Sequence, residues 1–253
     1  MTGTVHLVGA GPGAPDLLTL RAARLLAEAD VVFHDALVNP EIVALAARAE
    51  KIAVGKRCGK HSTAQRFINK RLLDAARKHR TVVRLKGGDP MLFGRAQEEI
   101  DALQAAGIRV EVVSGVTAAL AAAADLKTSL TRRGISRNVV FATPRVGEAE
   151  AASNWAAPLV EADTAAIYMG AGQAAAISAT LLAHGKPPSL PVVAVENASL
   201  PGMRAIATTL GDLPRLAEQA FGGPVLLLFG AQFARPAAAA VRRAAGEPRQ
   251  AAG

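Results

Sequence analysis

Three glycine-bearing stretches hold the residue types with which a backbone can cradle a small ligand. The first, Gly9-Ala10-Gly11-Pro12-Gly13-Ala14, follows the strand-like VHLV and meets the letter of a G-x-G-x-x-G/A dinucleotide loop. Asp35, after VVFH, even stands where a ribose-binding carboxylate would. The chemistry of the loop argues against that reading. A pyrophosphate is held by backbone N–H groups of the loop and the first helical turn, but Pro12 has none and Pro15 removes another where the helix should begin. Pro15 suits the first position of a helix that starts late, which makes the loop a rigid lip. The second stretch, Gly87-Gly88-Asp89-Pro90, offers bare backbone for a ligand to lie against. Asp89, held extended before proline, can accept hydrogen bonds from an ammonium or hydroxyls. The third, Ser114-Gly115-Val116-Thr117-Ala118, again follows a strand-like run. In an open α/β sheet, ligands bind at loops of this kind at the carboxyl ends of strands, so the three could line one crevice.

Such loops must be carried by strands set side by side. Short runs rich in Val and Ile alternate with Ala/Leu/Arg segments at helical spacing, which predicts an α/β protein with a largely parallel sheet. In the first half the pattern places strands near 4–8, 30–34, 51–54, 81–85 and 109–113, and helices near 16–29, 40–48, 63–79, 94–106 and 115–125. The second half places strands near 138–142, 164–169, 191–196, 203–209 and 225–229, with helices near 172–184 and 211–221. That is enough for two α/β domains, 1–130 and 131–234, joined through the polar segment 127–137. The tail, 235–253, has almost no large apolar residue to bury and is predicted to be flexible.

Composition removes several functional classes. A chain of 253 residues that is 51% hydrophobic can bury real cores, and no apolar run approaches the length that spans a bilayer. With no basic, apolar leader at its start, it is expected to be soluble and cytoplasmic, without a membrane partner. Cys58 is the single cysteine and the five histidines are scattered, which predicts neither a disulfide framework nor a metal site. The net charge of +8 invites a nucleic-acid reading, but 4% aromatic residues and no basic tract interleaved with stacking rings argue against it. A small polycarboxylate fits the charge as well, and basic residues that merely solvate the surface fit it too.

In order and spacing, GAGPGAPDLLTL, VVFHDALV, VGKRCGKHS, VVRLKGGDPMLFGR, SGVTAAL, IYMG and VAVEN resemble the uroporphyrinogen-III C-methyltransferases of the tetrapyrrole methylase superfamily, over residues 4–230. The resemblance implies two α/β domains of the tetrapyrrole methylase type with the active site in the cleft between them, and a homodimer. It implies S-adenosyl-L-methionine as cofactor and methylation of uroporphyrinogen III to precorrin-2, with sirohaem and cobalamin beyond. Matched one by one, Pro12, Gly87, Gly88, Asp89, Leu92, Thr117, Ala118, Met169 and Ala198 would contact the cofactor. Asp35 and Lys56 match the residues assigned proton transfer, and Arg95 is set beside them as a base or, since guanidinium stays protonated, an anion clamp. Glu98, Arg133 and Tyr168 would face the substrate.

Each residue also has an ordinary reading: Asp35 could cap the following helix, Lys56 could be a solvated surface charge, and Tyr168 and Met169 could be core at a strand end. Departures from the family pattern fall mostly on the substrate side and the linker: Ala14, Ala36, Ala96, Gln97, Ser114, Arg132 and Pro144 replace more usual residues. They motivate two competing expectations, a related methylase acting on a later precorrin, RNA or protein, and a cofactor-binding homologue without turnover.

Overall fold

The central apolar runs become strands buried along nearly their whole length, as a parallel sheet covered on both faces requires. The computed structural model describes residues 2–54, 63–146, 153–234 and 241–243. Its first sheet is wholly parallel, in the order β3-β2-β4-β1-β5. The strands are β1 (Thr4–Gly9), β2 (Val31–His34), β3 (Glu50–Ala53), β4 (Thr81–Lys86) and β5 (Arg109–Val113). The crossovers carry helices α1 (Leu20–Glu28), α2 (Pro40–Ala44), α3 (Thr63–Ala76) and α4 (Ala96–Ala105). Because side chains alternate along a strand, Val8, Val83 and Leu85 pack with Leu26 of α1 and Ile42 of α2 on one face, while Val5, Leu7 and Val82 pack with Leu72 of α3 and Leu103 of α4 on the other.

Helix starts follow capping chemistry. Thr19 Oγ1 accepts the Ala22 N–H at 3.2 Å at the head of α1. Asn39 Oδ1 accepts the Glu41 N–H at 3.0 Å at the head of α2. The helix that the sequence places near 16–29 is divided: Pro15 opens a 3-10 turn, Pro15–Leu17, and α1 begins only at Leu20.

Compactness divides the chain into Met1–Ala118 and Ala119–Gly253. In the second unit α5 (Ala118–Asp125) precedes β6 (Val139–Ala142), α6 (Ala157–Val160), β7 (Thr164–Ile167), α7 (Ala174–Ala183), β8 (Pro191–Glu196), β9 (Arg204–Thr209), β10 (Val225–Gly230) and β11 (Val241–Arg243). Its sheet runs β11-β9-β8-β10-β7-β6. Here the expectation of a largely parallel sheet fails: β6/β7 and β9/β11 are parallel, but β7/β10, β10/β8 and β8/β9 are antiparallel. For β8/β9 the physical reason is connection length, since 197–203 between them is far shorter than the dozen or more residues of a parallel crossover. The helix expected near 211–221 is a 3-10 segment, Leu213–Glu218, with Pro214 in its first turn.

Segment 127–137, read from sequence as the linker, lies inside the second unit and is tied to it. Ser136 Oγ and Thr164 Oγ1 are 2.6 Å apart, Thr164 Oγ1 donates to the Leu130 carbonyl at 2.8 Å, and Gln232 Nε2 donates to Thr164 Oγ1 at 2.6 Å, all buried.

Candidate functional site

β1 lies between β4 and β5, so the loops leaving their carboxyl ends emerge side by side. Ala10 donates its N–H to the Lys86 carbonyl at 2.7 Å, and Gly11 and Gly88 exchange N–H···O bonds of 3.1 and 2.7 Å. A Cβ on Gly9 would stand 2.6 Å from Gly115 Cα and 2.7 Å from the Gly88 oxygen, and a Cβ on Gly115 would strike that same oxygen. Glycine at 9 and 115 therefore serves the packing of loop on loop. Gly87 and Gly88 are different: a Cβ at either meets nothing within 4 Å, so their backbone faces open space.

The other members of the first two loops are held as firmly. Asp89 Oδ1 accepts the Met91 N–H at 2.8 Å and Oδ2 accepts the Gly115 N–H at 2.9 Å, so the carboxylate expected to meet an ammonium is first a staple between the second and third loops. Pro12 sits half-buried between Gly11 (φ 72°) and Gly13 (φ 145°), and Asn39 Nδ2 donates to the Gly13 carbonyl at 2.9 Å. With α1 starting at Leu20, no α-helix N-terminus stands at this loop. The dinucleotide reading loses the feature it depends on.

Beneath the loops lies a cluster that motif reading missed. Arg84 and Lys86 of β4 point to the face covered by α3 and α4, where Glu99 Oε1 accepts from Arg84 Nε at 3.1 Å, Lys86 Nζ at 3.1 Å and Gln65 Nε2 at 3.2 Å. Burial, with the nearby Arg84 charge, pushes the Lys86 ammonium below its ordinary value. Arg84 Nη2 reaches Asp35 Oδ1 at 2.6 Å. Asp35 is thus not the cap of the helix after it, a task that Asn39 performs. The sequence signal was available: two cations two residues apart in the otherwise apolar VVRLK must share one face of a buried strand.

Arg95 and Glu98, expected at the substrate, are exposed and bond each other through Nε–Oε1 and Nη2–Oε2 contacts of 2.7 Å. The Arg95 hydrogen bond holds the Glu98 carboxyl below its ordinary value. Leu92 is half-buried in the turn after Asp89. Lys56 lies outside the described residues.

In the second unit three segments meet around α5. The Tyr168 hydroxyl accepts the Ala119 N–H at 3.2 Å in the first turn of α5, directly after the buried Thr117 and the half-buried Ala118, and its ring meets Phe141 edge-on at 6.1 Å. At the other end, Asp125 accepts the Ser199 N–H at 2.7 Å, fixing the loop that carries Ala198. Glu196, just before that loop, accepts N–H groups of Gly222 and Gly223 at 2.5 and 2.8 Å and pairs with Arg204 at 2.9 Å. Burial opposes the charged form, but the Gly223 and Gly222 N–H groups and Arg204 outweigh it and hold Glu196 below its ordinary value. Arg133 stands exposed in a hairpin closed by reciprocal bonds between Arg132 and Ser136.

Left-handed backbone falls at some of these positions. The described non-glycine residues with left-handed φ are Phe93, Arg95, Lys127, Met169, Asn197 and Ser199. At a cost of about 1–3 kcal/mol each, such residues concentrate at functional sites. Arg95 and Met169 are expected site residues, and Asn197 and Ser199 flank a third, Ala198.

Two α/β units and a knit of carboxyl-end glycine loops define a class, and a family model described as Tetrapyrrole (Corrin/Porphyrin) Methylases matches residues 4–214. The chain belongs to the tetrapyrrole methylases. It is 46% identical to a uroporphyrinogen-III C-methyltransferase of Pseudomonas aeruginosa over 91% of this chain and 94% of that one. It is 45% identical to siroheme synthase 1 of Klebsiella pneumoniae over 90% of this chain, yet spans only 49% of that longer relative. Among solved structures, the uroporphyrin-III C-methyltransferase of Thermus thermophilus complexed with S-adenosyl homocysteine is similar at 40% identity and a TM-score of 0.80, over 91% of this chain and 98% of that one.

Proposed function

We propose that the chain is an S-adenosyl-L-methionine-dependent C-methyltransferase that converts uroporphyrinogen III, through precorrin-1, to precorrin-2, in tetrapyrrole biosynthesis leading to sirohaem and cobalamin. The observation that carries this reading is the 46% identity to an enzyme of that name along nearly the full length of both chains. The first unit fits the cofactor: Gly87 and Gly88 leave open the space that any side chain would fill, and Asp89 fixes their loop. In this reading Pro12, Gly87, Gly88, Asp89, Leu92, Thr117, Ala118, Met169 and Ala198 hold the cofactor.

Bound S-adenosyl-L-methionine supplies a sulfonium methyl group whose bonding electrons return to sulfur as the methyl passes to an electron-rich pyrrole carbon. The protein's first task is alignment, which can supply on the order of 7–11 kcal/mol. Its second is to receive the proton the macrocycle then loses, assigned here to Asp35 with Lys56. Arg95 and Arg133 meet the carboxylates of the substrate's side chains through paired N–H groups, with Glu98 and Tyr168 beside them. Among the described residues no helix is long and apolar enough to cross a membrane, and we assign the enzyme to the cytoplasm as a homodimer.

Incubation of the protein with S-adenosyl-L-methionine and enzymatically made uroporphyrinogen III, followed by mass analysis, tests the proposal. Gain of two methyl groups is expected. A folded sample that binds cofactor but leaves the tetrapyrrole mass unchanged would overturn it.

A further inference from the structure

The buried cations of β4 have no part in the chemistry above. Arg84 is 2% exposed and Glu99 fully buried, and ions at that depth cost several kcal/mol each unless closely paired. Their geometry is directional. Arg84 Nε is held by Glu99 Oε1 at 3.1 Å and Nη1 by the Leu85 carbonyl at 3.2 Å, so Nη2 has one direction left, toward Asp35 Oδ1 at 2.6 Å. Asp35, 31% exposed, also donates its backbone N–H to the Leu85 carbonyl at 3.3 Å. Side chain and main chain of Asp35 are thus both referred to residues 84 and 85.

Glu99 shows what the cluster favours. Its Oε1 gathers Arg84, Lys86 and Gln65, while its buried Oε2 has no hydrogen-bond partner among the described residues. Hydrogen-bond satisfaction of the glutamate is given up to a geometry that locks the guanidinium.

We infer that Arg84, locked by Glu99, is a positioning residue for Asp35: it occupies Oδ1 and fixes the carboxylate so that Oδ2 accepts the proton released by the methylated macrocycle. The inference rests on Asp35 being the base. Arg84 touches neither substrate nor cofactor in this assignment, so its effect must pass through Asp35.

The test is a double-mutant cycle in kcat at saturating S-adenosyl-L-methionine and uroporphyrinogen III, with cofactor affinity measured by calorimetry for every variant. Asp35→Asn is expected to lower kcat by about 10²–10⁴-fold, the usual range for a general base. Arg84→Lys, which keeps the charge but loses the fork, is expected to lower it by about a hundredfold, as a misplaced group does. The double variant should be no slower than Asp35→Asn alone, with cofactor affinity unchanged throughout. Glu99→Gln, which loosens the lock while keeping an acceptor, should show a smaller loss that also vanishes in the Asp35→Asn background, and it carries the cycle should Arg84→Lys fail to fold. Full activity of Asp35→Asn would remove the base and this inference with it. A slow Asp35→Asn whose loss multiplies with that of Arg84→Lys, or a fully active Arg84→Lys, would leave the base in place and overturn the role of Arg84.

Discussion

Asp89 illustrates how a residue chosen for one chemistry can serve another first. Its sequence context suggests a carboxylate offered to a ligand, yet both oxygens already accept backbone N–H groups, of Met91 and Gly115. A carboxylate has about four acceptor directions, so holding the loop does not exhaust it. Asp89→Asn separates loop from ligand because an amide keeps one acceptor oxygen and turns a donor on one of the two N–H groups. Hydrogen bonds to a charged group contribute about 1.5–3 kcal/mol, and the cost should fall on the loop proposed to frame the cofactor. Calorimetry should show the dissociation constant for S-adenosyl-L-methionine rising about tenfold or more, the equivalent of 1.4 kcal/mol or above. A lower melting temperature with unchanged cofactor affinity would make Asp89 a purely structural staple.

At the scale of the elements, the glycines of the three loops divide into two kinds that sequence cannot distinguish. Gly115 is hemmed in by Gly88 and Gly9, whereas Gly87 has open space and an ordinary backbone conformation. Gly115→Ala should therefore push the loops apart, lowering both melting temperature and cofactor affinity. Gly87→Ala should leave the melting temperature unchanged and weaken only cofactor binding, because its methyl group projects where the ligand would lie. Equal effects of the two substitutions on thermal unfolding would contradict the division. The presence of these loops, and of the parallel sheet behind them, was legible because strand runs such as VVRLK end directly in glycine. The mixed second sheet was not, since β8 and β10 are apolar runs with the same look as parallel strands, and the short connection 197–203 speaks only for the β8/β9 pair. The Arg84–Glu99 lock was also missed: Glu99 reads as one more acidic residue in the first turn of α4 until the packing of α4 on β4 buries it.

For the whole molecule the informative quantity is charge. The chain carries 29 Lys and Arg against 21 Asp and Glu, a formal excess of eight positive charges. Many exposed cations are already paired with near neighbours, as Arg77 is with Asp74, Arg109 with Glu111 and Arg215 with Asp212. Such surface pairs contribute little to stability, but the unbalanced remainder creates a field that draws in a polyanion and leaves a small ligand of low charge nearly unaffected. The proposed substrate bears a carboxylate on every side chain, and the proposed cofactor does not. Salt should therefore separate the two binding steps. Between about 0.01 and 0.15 M ionic strength the Debye length falls from roughly 30 to 8 Å, and kcat/KM for the tetrapyrrole should fall about tenfold as long-range attraction is screened. Cofactor affinity over the same range should stay within about twofold, since the contacts proposed for it are short-range and mainly with backbone. Replacing Arg133 by Gln should lower kcat/KM at every salt concentration without changing cofactor affinity, because that cation is assigned to the substrate alone. A kcat/KM indifferent to salt, in a protein that still methylates, would mean that the substrate is recognised by shape and hydrogen bonding at close range, with the excess positive charge serving only solvation.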